Sequence, residues 1–226
     1  MISHQYKCIF IHIPKCAGSS IERALGHADD LELKAQPDHR SVRMLETPIP
    51  FPQAVGSFDN LFQLGLRLRH SVRPQRNPNN TLSVSGEQYK SYFKFTIVRN
   101  PWARAFSWYK NCIRDANHKM RYGINEQTSL CEFLQKNIGR GSLRTQMSWI
   151  TDFGGGIPMD YIGRFESLRS DFREVCSELQ LPEVILPHEL RGSGEDFRDH
   201  FDDHCIRLVK DAYKAEIDMF GFTFDA

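Results

Sequence analysis

Residues 7–20 read Lys-Cys-Ile-Phe-Ile-His-Ile-Pro-Lys-Cys-Ala-Gly-Ser-Ser. Residues 7–13 are apolar and rich in β-branched side chains, a pattern that predicts a short strand which ends at Pro14. The small residues that follow predict a loop, and then a helix that begins near Ser19 or Ser20. This stretch is therefore predicted to be a strand–loop–helix unit.

A second segment of the same kind begins at residues 93–98, Phe-Lys-Phe-Thr-Ile-Val, which predict a strand. Asn100 suits the capping position of a helix, and Pro101 suits its first turn. Apolar stripes at helical spacing predict further helices near 168–179 and 201–212. Strands that alternate with helices predict an α/β fold with a central parallel sheet flanked by helices on both faces.

The composition limits the class of protein. With 226 residues, 40% of them hydrophobic, the chain is predicted to form a single domain over 1–226. A formal net charge of +1 indicates no bulk attraction to nucleic acid or to anionic membranes. The six cysteines are scattered without metal-ligand spacing, which favours reduced thiols and no metal site. The sequence shows no membrane span and no secretory signal, so we predict a cytoplasmic protein.

The loop after the first strand is a candidate anion site. A strand-to-helix turn presents backbone N–H groups and the positive end of a helix to a phosphate-like group. The candidate binding residues are Lys15, Cys16, Ala17, Gly18, Ser19 and Ser20. A Walker A loop places its lysine after the glycines, whereas Lys15 precedes the single glycine here, which argues against an ATPase or a kinase.

The end of the second strand is another candidate anion site. Arg99 follows the strand directly, and Ser107 lies about 9 Å along the predicted helix from its start near Pro101, at 1.5 Å per residue. Open α/β sheets bind ligands at the carboxyl ends of their strands. Two such turns suit a ligand that is charged at two separated points.

These two segments, His12 to Ser20 and Phe93 to Tyr109, resemble the pair of motifs that bind 3′-phosphoadenosine 5′-phosphosulfate (PAPS) in the sulfotransferase family 2 group, which includes carbohydrate sulfotransferases. The resemblance continues in residues 161–168 and 220–224. It implies a sulfotransferase fold similar to P-loop nucleotide-binding proteins, PAPS as donor, 3′,5′-ADP (PAP) as product and no metal. Lys15 and the loop through Ser20 would hold the 5′-phosphosulfate, and Arg99 with Ser107 would hold the 3′-phosphate.

Another family feature falls at residues 190–194, Leu-Arg-Gly-Ser-Gly. Related cytosolic sulfotransferases close over the cofactor with an Arg-Lys-Gly segment, so the resemblance implies that Arg191 and Gly192 contact the donor. Ser193 and Gly194 depart from that pattern. A plain flexible turn remains the alternative.

Transfer of a sulfuryl group needs a base for the acceptor's proton and a cation for the leaving phosphate. Lys15 suits the second role. His39 is the candidate base, because its position resembles the His-x-Ser/Thr segment of the family and an imidazole accepts a proton near neutral pH. Asp38 is a candidate to orient His39. Glu22 is the alternative, as a carboxylate base. His12 ends the first strand and suits a buried structural role, and His188 lies near the 190–194 segment.

The acceptor, a hydroxyl or amine of a carbohydrate or small molecule, is not identified by these motifs. We expect residues 28–83, which prolines interrupt, to form short helices and mobile loops that shape its pocket. The basic run of Arg67, Arg69, His70, Arg73 and Arg76 suits an acidic saccharide. The apolar residues of the same region suit a lipid or aromatic alcohol instead: Phe51, Phe58, Leu61, Phe62, Leu64, Leu66 and Leu68.

Two other function classes remain open at this point. A kinase-like phosphotransferase shares the physics of an anion loop but needs Mg²⁺. A non-catalytic module would bind adenosine bisphosphates without transferring a group. The sequence indicates no oligomeric state.

Overall fold

The fold contains one four-stranded sheet in the described residues. The structure, a computed structural model, describes residues 1–28, 36–182, 186 and 195–225. The strands are β1 (Ile2–Ser3), β2 (Cys8–Ile11), β3 (Phe93–Val98) and β4 (Tyr161–Arg164), in the spatial order β1-β2-β3-β4. β2, β3 and β4 are parallel, with Phe10 opposite Phe95 and Phe95 opposite Tyr161, while β1 pairs antiparallel with β2.

Twelve α-helices are present in the described residues. They are α1 (Gly18–Ala24), α2 (Val42–Leu45), α3 (Phe51–Ala54), α4 (Phe58–Val72), α5 (Gly86–Ser91), α6 (Pro101–Arg114), α7 (Ala116–Tyr122), α8 (Leu130–Asn137), α9 (Met147–Ile150), α10 (Leu168–Glu178), α11 (Asp203–Ala212) and α12 (Lys214–Phe220). Short 3₁₀ turns occur at Pro78–Thr81, Gly141–Leu143 and Phe197–His200. Within the described part of the chain, no helix has the length and apolar character that crossing a membrane requires.

The chain divides into two compact units. The first contains residues 1–98 and 148–189, and the second contains residues 99–147 and 190–226. The sheet, α1 to α5 and α10 belong to the first unit. The expectation of a single domain stays a prediction.

The central strands are buried on both faces. Every residue of β2 is buried, and so are the last five of the six residues of β3. Continuous burial is typical of parallel strands with a layer on each face. The predicted α/β fold with a largely parallel sheet is therefore confirmed. The antiparallel edge strand β1, only two residues long, was not predicted.

The helix after β3 forms as its sequence predicts. The side-chain oxygen of Asn100 accepts hydrogen bonds from the backbone N–H groups of Trp102 and Ala103, and Pro101 occupies the first turn. Trp102 is buried, and its Nε1 donates to the carbonyl of Ile206 at 3.1 Å. Trp102 is thus a core residue of the second unit.

The expectation of short helices within residues 28–83 fits α2 and α3 but not α4. α4 is 15 residues long. Ser57 caps it by accepting a hydrogen bond from the N–H of Asn60, and the nearest prolines, Pro52 and Pro74, lie outside its ends. Prolines outside a helix limit its length without breaking it.

Candidate functional site

The loop between β2 and α1 has an unusual backbone. Lys15 and Ala17 adopt positive φ angles of 70° and 61°, a left-handed conformation that costs energy for residues with a Cβ atom and is typical of functional sites. Ala17 is the N-cap of α1, and no side chain caps that end. The first N–H groups of a helix have no partner within the helix. The N–H groups of Cys16 and Ser20 donate to the carbonyls of Ile13 and Ala17, and the binding of an anion by this loop stays a prediction.

Gly18 is required because the ring of His12 packs against it. A Cβ atom built on Gly18 would lie 1.9 Å from Cδ2 of His12 and 2.1 Å from its Nε2. The ring has no room to retreat, because His12 is buried and its Nδ1 is hydrogen-bonded to Oε1 of Glu22 at 2.9 Å. Only glycine fits this position of the loop.

Glu22 connects helix α1, on which it lies, with His12 after β2 and with the segment that contains Asp38. Its Oε1 is bonded to His12 and also accepts the backbone N–H of Asp38 at 3.0 Å. Burial alone would raise the pKa of Glu22, but the charge and hydrogen bond of His12 outweigh burial and lower it. A buried, charged carboxylate with both contacts on one oxygen suits a positioning role better than the role of a base.

His39 lies beside this cluster. Its ring centroid is 4.3 Å from that of His12 and 6.0 Å from that of Trp149. Its Nδ1 lies 3.1 Å from the carbonyl oxygen of His12. Because a carbonyl only accepts, Nδ1 must donate, and in the neutral ring Nε2 then carries a lone pair.

The surroundings of His39 keep its ring neutral. His39 is exposed, while the protein atoms around its ring, together with the nearby His12, lower its pKa from 6.5 to about 4. Among the described residues, none hydrogen-bonds Nε2. At pH 7 this nitrogen is therefore able to accept a proton from outside the protein.

Asp38 does not orient His39, and that expectation was wrong. The carboxylate of Asp38 is buried and binds Arg40 at 2.6 Å and the amino group of Met1 at 3.2 Å. Burial alone would raise the pKa of Asp38, but the amino group and the guanidinium lower it strongly. The partner that orients His39 is the backbone carbonyl of His12.

Arg99 and Ser107, the second pair of candidate residues, are both half-buried in the second unit. Gln146 holds the backbone of Arg99 on both sides: its Oε1 accepts the N–H of Arg99, and its Nε2 donates to the carbonyl, each at 2.8 Å. Ser107 lies on α6, and its binding role stays a prediction.

Gln146 is held in turn by the buried Glu216, which accepts hydrogen bonds from its backbone N–H and from its Nε2. Glu216 lies 3.9 Å from the buried Arg104. Burial raises the pKa of Glu216, while Arg104 opposes the rise. Sequence reasoning missed Gln146 and Glu216, because neither lies in a recognisable motif. The one signal they carry, a polar residue at a buried position, is visible only in the structure.

The remaining candidates are placed as follows. Lys15 is half-buried, as are Ala17, Ser19 and Ser20, whereas Cys16 is buried and its thiol lies 3.8 Å from the carbonyl of Pro14. Arg191, Gly192 and the nearby His188 lie outside the described residues. Within the described ranges, no group of three or more His, Cys, Asp and Glu residues could hold a metal ion.

A basic cleft lies near the C-terminal half of α4 in the first unit. It has a volume of about 260 Å³, and its cationic lining comes from Arg40, Arg67 and Arg73, with His70 beside them. Arg67 is fixed by donating to the carbonyl of Glu46 at 2.7 Å. Part of the basic run therefore converges on one concave surface.

Comparisons with known proteins agree on one family. A family model described as "Sulfotransferase family" matches residues 1–223. Carbohydrate sulfotransferase 14 from Danio rerio is 21% identical over 211 residues, which cover 82% of this chain and 49% of that protein. Carbohydrate sulfotransferase 14 from Homo sapiens is 21% identical over 206 residues, 80% of this chain and 46% of that protein. The chain thus spans about half the length of these relatives, and no solved structure matches it.

The contact between His12 and Gly18 predicts the effect of one added methyl group. Gly18→Ala forces the buried ring of His12 away from Glu22, so we expect a loss of about 1–3 kcal/mol in the free energy of unfolding. Denaturant melts would measure it. Gly86→Ala is the matched control, since a Cβ there meets its nearest atom at 3.4 Å. Equal stability of the two variants would contradict the steric argument.

The contacts of His39 predict its tautomer and its titration. Long-range ¹H–¹⁵N spectra of the ligand-free protein should show Nδ1 protonated and Nε2 unprotonated, and the ring should titrate with a pKa of about 4. His39→Asn identifies the signal by its disappearance. An Nε2–H tautomer, or a titration near 6.5, would show that this environment is wrong.

Proposed function

The chain belongs to the sulfotransferase family, and on that premise we propose that it transfers a sulfuryl group from PAPS to a hydroxyl group of an acceptor. The observation that carries the proposal is the contact of His39 with His12, whose ring packs against Gly18 of the anion loop. This contact puts a proton acceptor beside a loop that suits a phosphate-like group. Both parts are needed for sulfuryl transfer.

We assign the phosphosulfate end of PAPS to the loop from Lys15 to Ser20. The uncapped start of α1 supports this assignment because its N–H groups suit the oxygens of such a group. The ammonium group of Lys15 adds a full charge. Cys16 contributes packing, since its thiol is buried and its backbone N–H donates to the carbonyl of Ile13.

We assign the 3′-phosphate of PAPS to Arg99 and Ser107. A guanidinium forms strong, charge-assisted hydrogen bonds with phosphate, and a hydroxyl adds a neutral one. The two hydrogen bonds from Gln146 to the backbone of Arg99 support this assignment. A backbone that is already fixed loses less conformational entropy when its side chain binds a ligand.

In the proposed reaction, Nε2 of His39 takes the proton of the acceptor hydroxyl while the hydroxyl oxygen bonds to sulfur. The bond between sulfur and the bridging phosphate oxygen breaks, and Lys15 stabilises the negative charge that forms on the phosphate. A pKa of about 4 makes His39 a weak base in the ligand-free protein. Negative charge on a bound donor raises the pKa of a nearby histidine and makes it a stronger base.

For the acceptor we propose a carbohydrate. The support is that the two relatives are named carbohydrate sulfotransferases. Arg67 and Arg73, which line the basic cleft, favour a saccharide that carries carboxylate or sulfate groups. Acceptor screening should therefore include matched neutral and acidic saccharides.

Nucleotide binding tests the two proposed phosphate assignments separately. Arg99→Ala should weaken binding of 3′,5′-ADP by roughly 10- to 100-fold, the loss of a charge-assisted hydrogen bond, and leave binding of 5′-AMP unchanged. Lys15→Ala should weaken both nucleotides, because both carry the 5′-phosphate. Isothermal titration calorimetry would measure the four affinities. Weaker 5′-AMP binding in Arg99→Ala would contradict the assignment of Arg99 to the 3′-phosphate.

The turnover rate tests the assignment of His39 as the base. With ³⁵S-labelled PAPS and a saccharide panel, His39→Asn should lower kcat by about 10²–10⁴-fold, the usual contribution of a general base, and retain 3′,5′-ADP binding. Asparagine keeps an N–H donor but has no nitrogen that accepts a proton. His4→Asn is the control, because His4 is exposed and bonds Tyr92 instead.

Three results would contradict the proposal. If His39→Asn turned over substrate as fast as the wild type, His39 would be excluded as the base. Hydrolysis of ATP with Mg²⁺ and no response to PAPS would favour a kinase-like enzyme. Saturable 3′,5′-ADP binding without sulfation of any acceptor would favour a binding module.

A further inference from the structure

Helix α4 presents its apolar face to the solvent. Its large apolar side chains Phe58, Leu61, Phe62, Leu68 and Val72 are 93%, 47%, 52%, 67% and 79% exposed. At 100° per residue these five side chains and Gly65 occupy one face of the helix, about 120° wide. The apolar stripe of a surface helix normally faces the core. In α4 the apolar stripe faces the solvent and polar residues face the core, and we call this orientation inverted.

The inward face of α4 is polar and firmly bonded. Oδ1 of Asn60 accepts from Arg43 at 2.8 Å, and Oε1 of Gln63 accepts from Ser41 at 2.9 Å. Arg67 donates to the carbonyl of Glu46. Nε2 of Gln63 is buried without a hydrogen-bond partner among the described residues, but the three hydrogen bonds of Asn60, Gln63 and Arg67 still favour a single rotation of the helix. The outward direction of the apolar stripe is therefore a fixed feature of the fold.

The exposed apolar area reaches the size of the largest apolar patches on monomer surfaces, which are often functional. It continues beyond α4 into Ile49, Phe51 and Val55, which are 39%, 73% and 43% exposed. At about 200 Å² per side chain, the three phenylalanines alone expose on the order of 400 Å². Patches of this size mark interaction sites, and a stable interface buries about 800 Å² on each partner.

We propose that this face of α4 binds a second copy of the chain, in an antiparallel helix pair that crosses at Gly65. The stripe is symmetric about Gly65: Leu61 and Phe62 lie four and three residues before it, and Leu68 and Arg69 lie three and four after it. Phe58 and Val72 lie seven residues to either side. A two-fold axis requires a self-complementary surface of this kind.

Gly65 suits the crossing point of two helices. A Cβ built on it meets no heavy atom within 4 Å, so no contact within the first unit requires glycine there. A glycine inside a helix costs about 1 kcal/mol relative to alanine. At a crossing point, the absence of a side chain allows two helix backbones to approach closely.

Arg69 favours a protein partner over a membrane. At 40° from Gly65 on the helix circumference, it lies within the apolar stripe, where insertion of the stripe would carry its charge toward the acyl chains. In the antiparallel pair, Arg69 of one copy instead lies beside Phe62 of the other, a cation–π contact. A second copy therefore accommodates every residue of the stripe.

Analytical ultracentrifugation of the full chain over a concentration series tests the proposal. The wild type should form a dimer, and Leu68→Glu should weaken it at least about tenfold by burying an unpaired charge. Met120→Glu is the control, since Met120 is 80% exposed on α7 and lies outside the stripe. Equal melting temperatures of the two variants would exclude misfolding as the cause.

Cross-linking tests the geometry independently. With glutathione disulfide as oxidant, Gly65→Cys should link two copies covalently, because the two positions meet at the axis. Val72→Cys should not link to itself, because its two copies would lie about 21 Å apart at 1.5 Å per residue. Cross-linking of both variants would indicate a parallel pair and overturn the antiparallel arrangement.

Other results would overturn the proposal entirely. A wild type that stays monomeric throughout the series would exclude the dimer, and a dimer unchanged by Leu68→Glu would exclude this face. Sedimentation of a monomeric wild type, but not of Leu68→Glu, with vesicles of phosphatidylcholine and phosphatidylserine would identify a membrane as the partner instead.

Discussion

The hydrogen bond between Nδ1 of His12 and Oε1 of Glu22 holds the candidate site of the first unit together. It fixes the His12 ring over Gly18, and this contact allows only glycine at the start of α1. The same carboxylate oxygen accepts the N–H of Asp38 and so anchors the segment that carries His39. The carbonyl of His12 then orients the His39 ring. Loop, helix and candidate base therefore depend on one buried residue pair.

This arrangement makes the site sensitive to acid. The pKa of Glu22 is lowered in the folded chain from its ordinary 4.5, so its stabilising effect is full above that value and is lost as the pH falls through the folded pKa. His39 also makes the folded chain less stable as the pH falls. Its folded pKa of about 4 lies below its ordinary 6.5, so the unfolded chain takes up a proton first as the pH falls below 6.5, and this uptake favours unfolding.

The sequence predicted the parts of the structure that depend on neighbours in the chain. The strand–loop–helix unit around Lys15 and the cap at Asn100 follow from local patterns, and both are present. Gln146 and Glu216 were not predicted, because their contacts with each other join residues 70 positions apart. The partner of Asp38 was misassigned for a related reason. An adjacent residue does not share the direction of its neighbour's side chain, and Asp38 binds Arg40 instead.

Helix α4 shows a different limit of sequence analysis. Periodicity identifies an apolar face, but it does not say which face is buried. For α4 the decision is made by Asn60 and Gln63, which find hydrogen-bonding partners in the segment that follows His39. The hydrogen bond from Ser41 to Gln63 lies only two residues from the candidate base. The inverted helix thus links the proposed interface to the position of the proposed base.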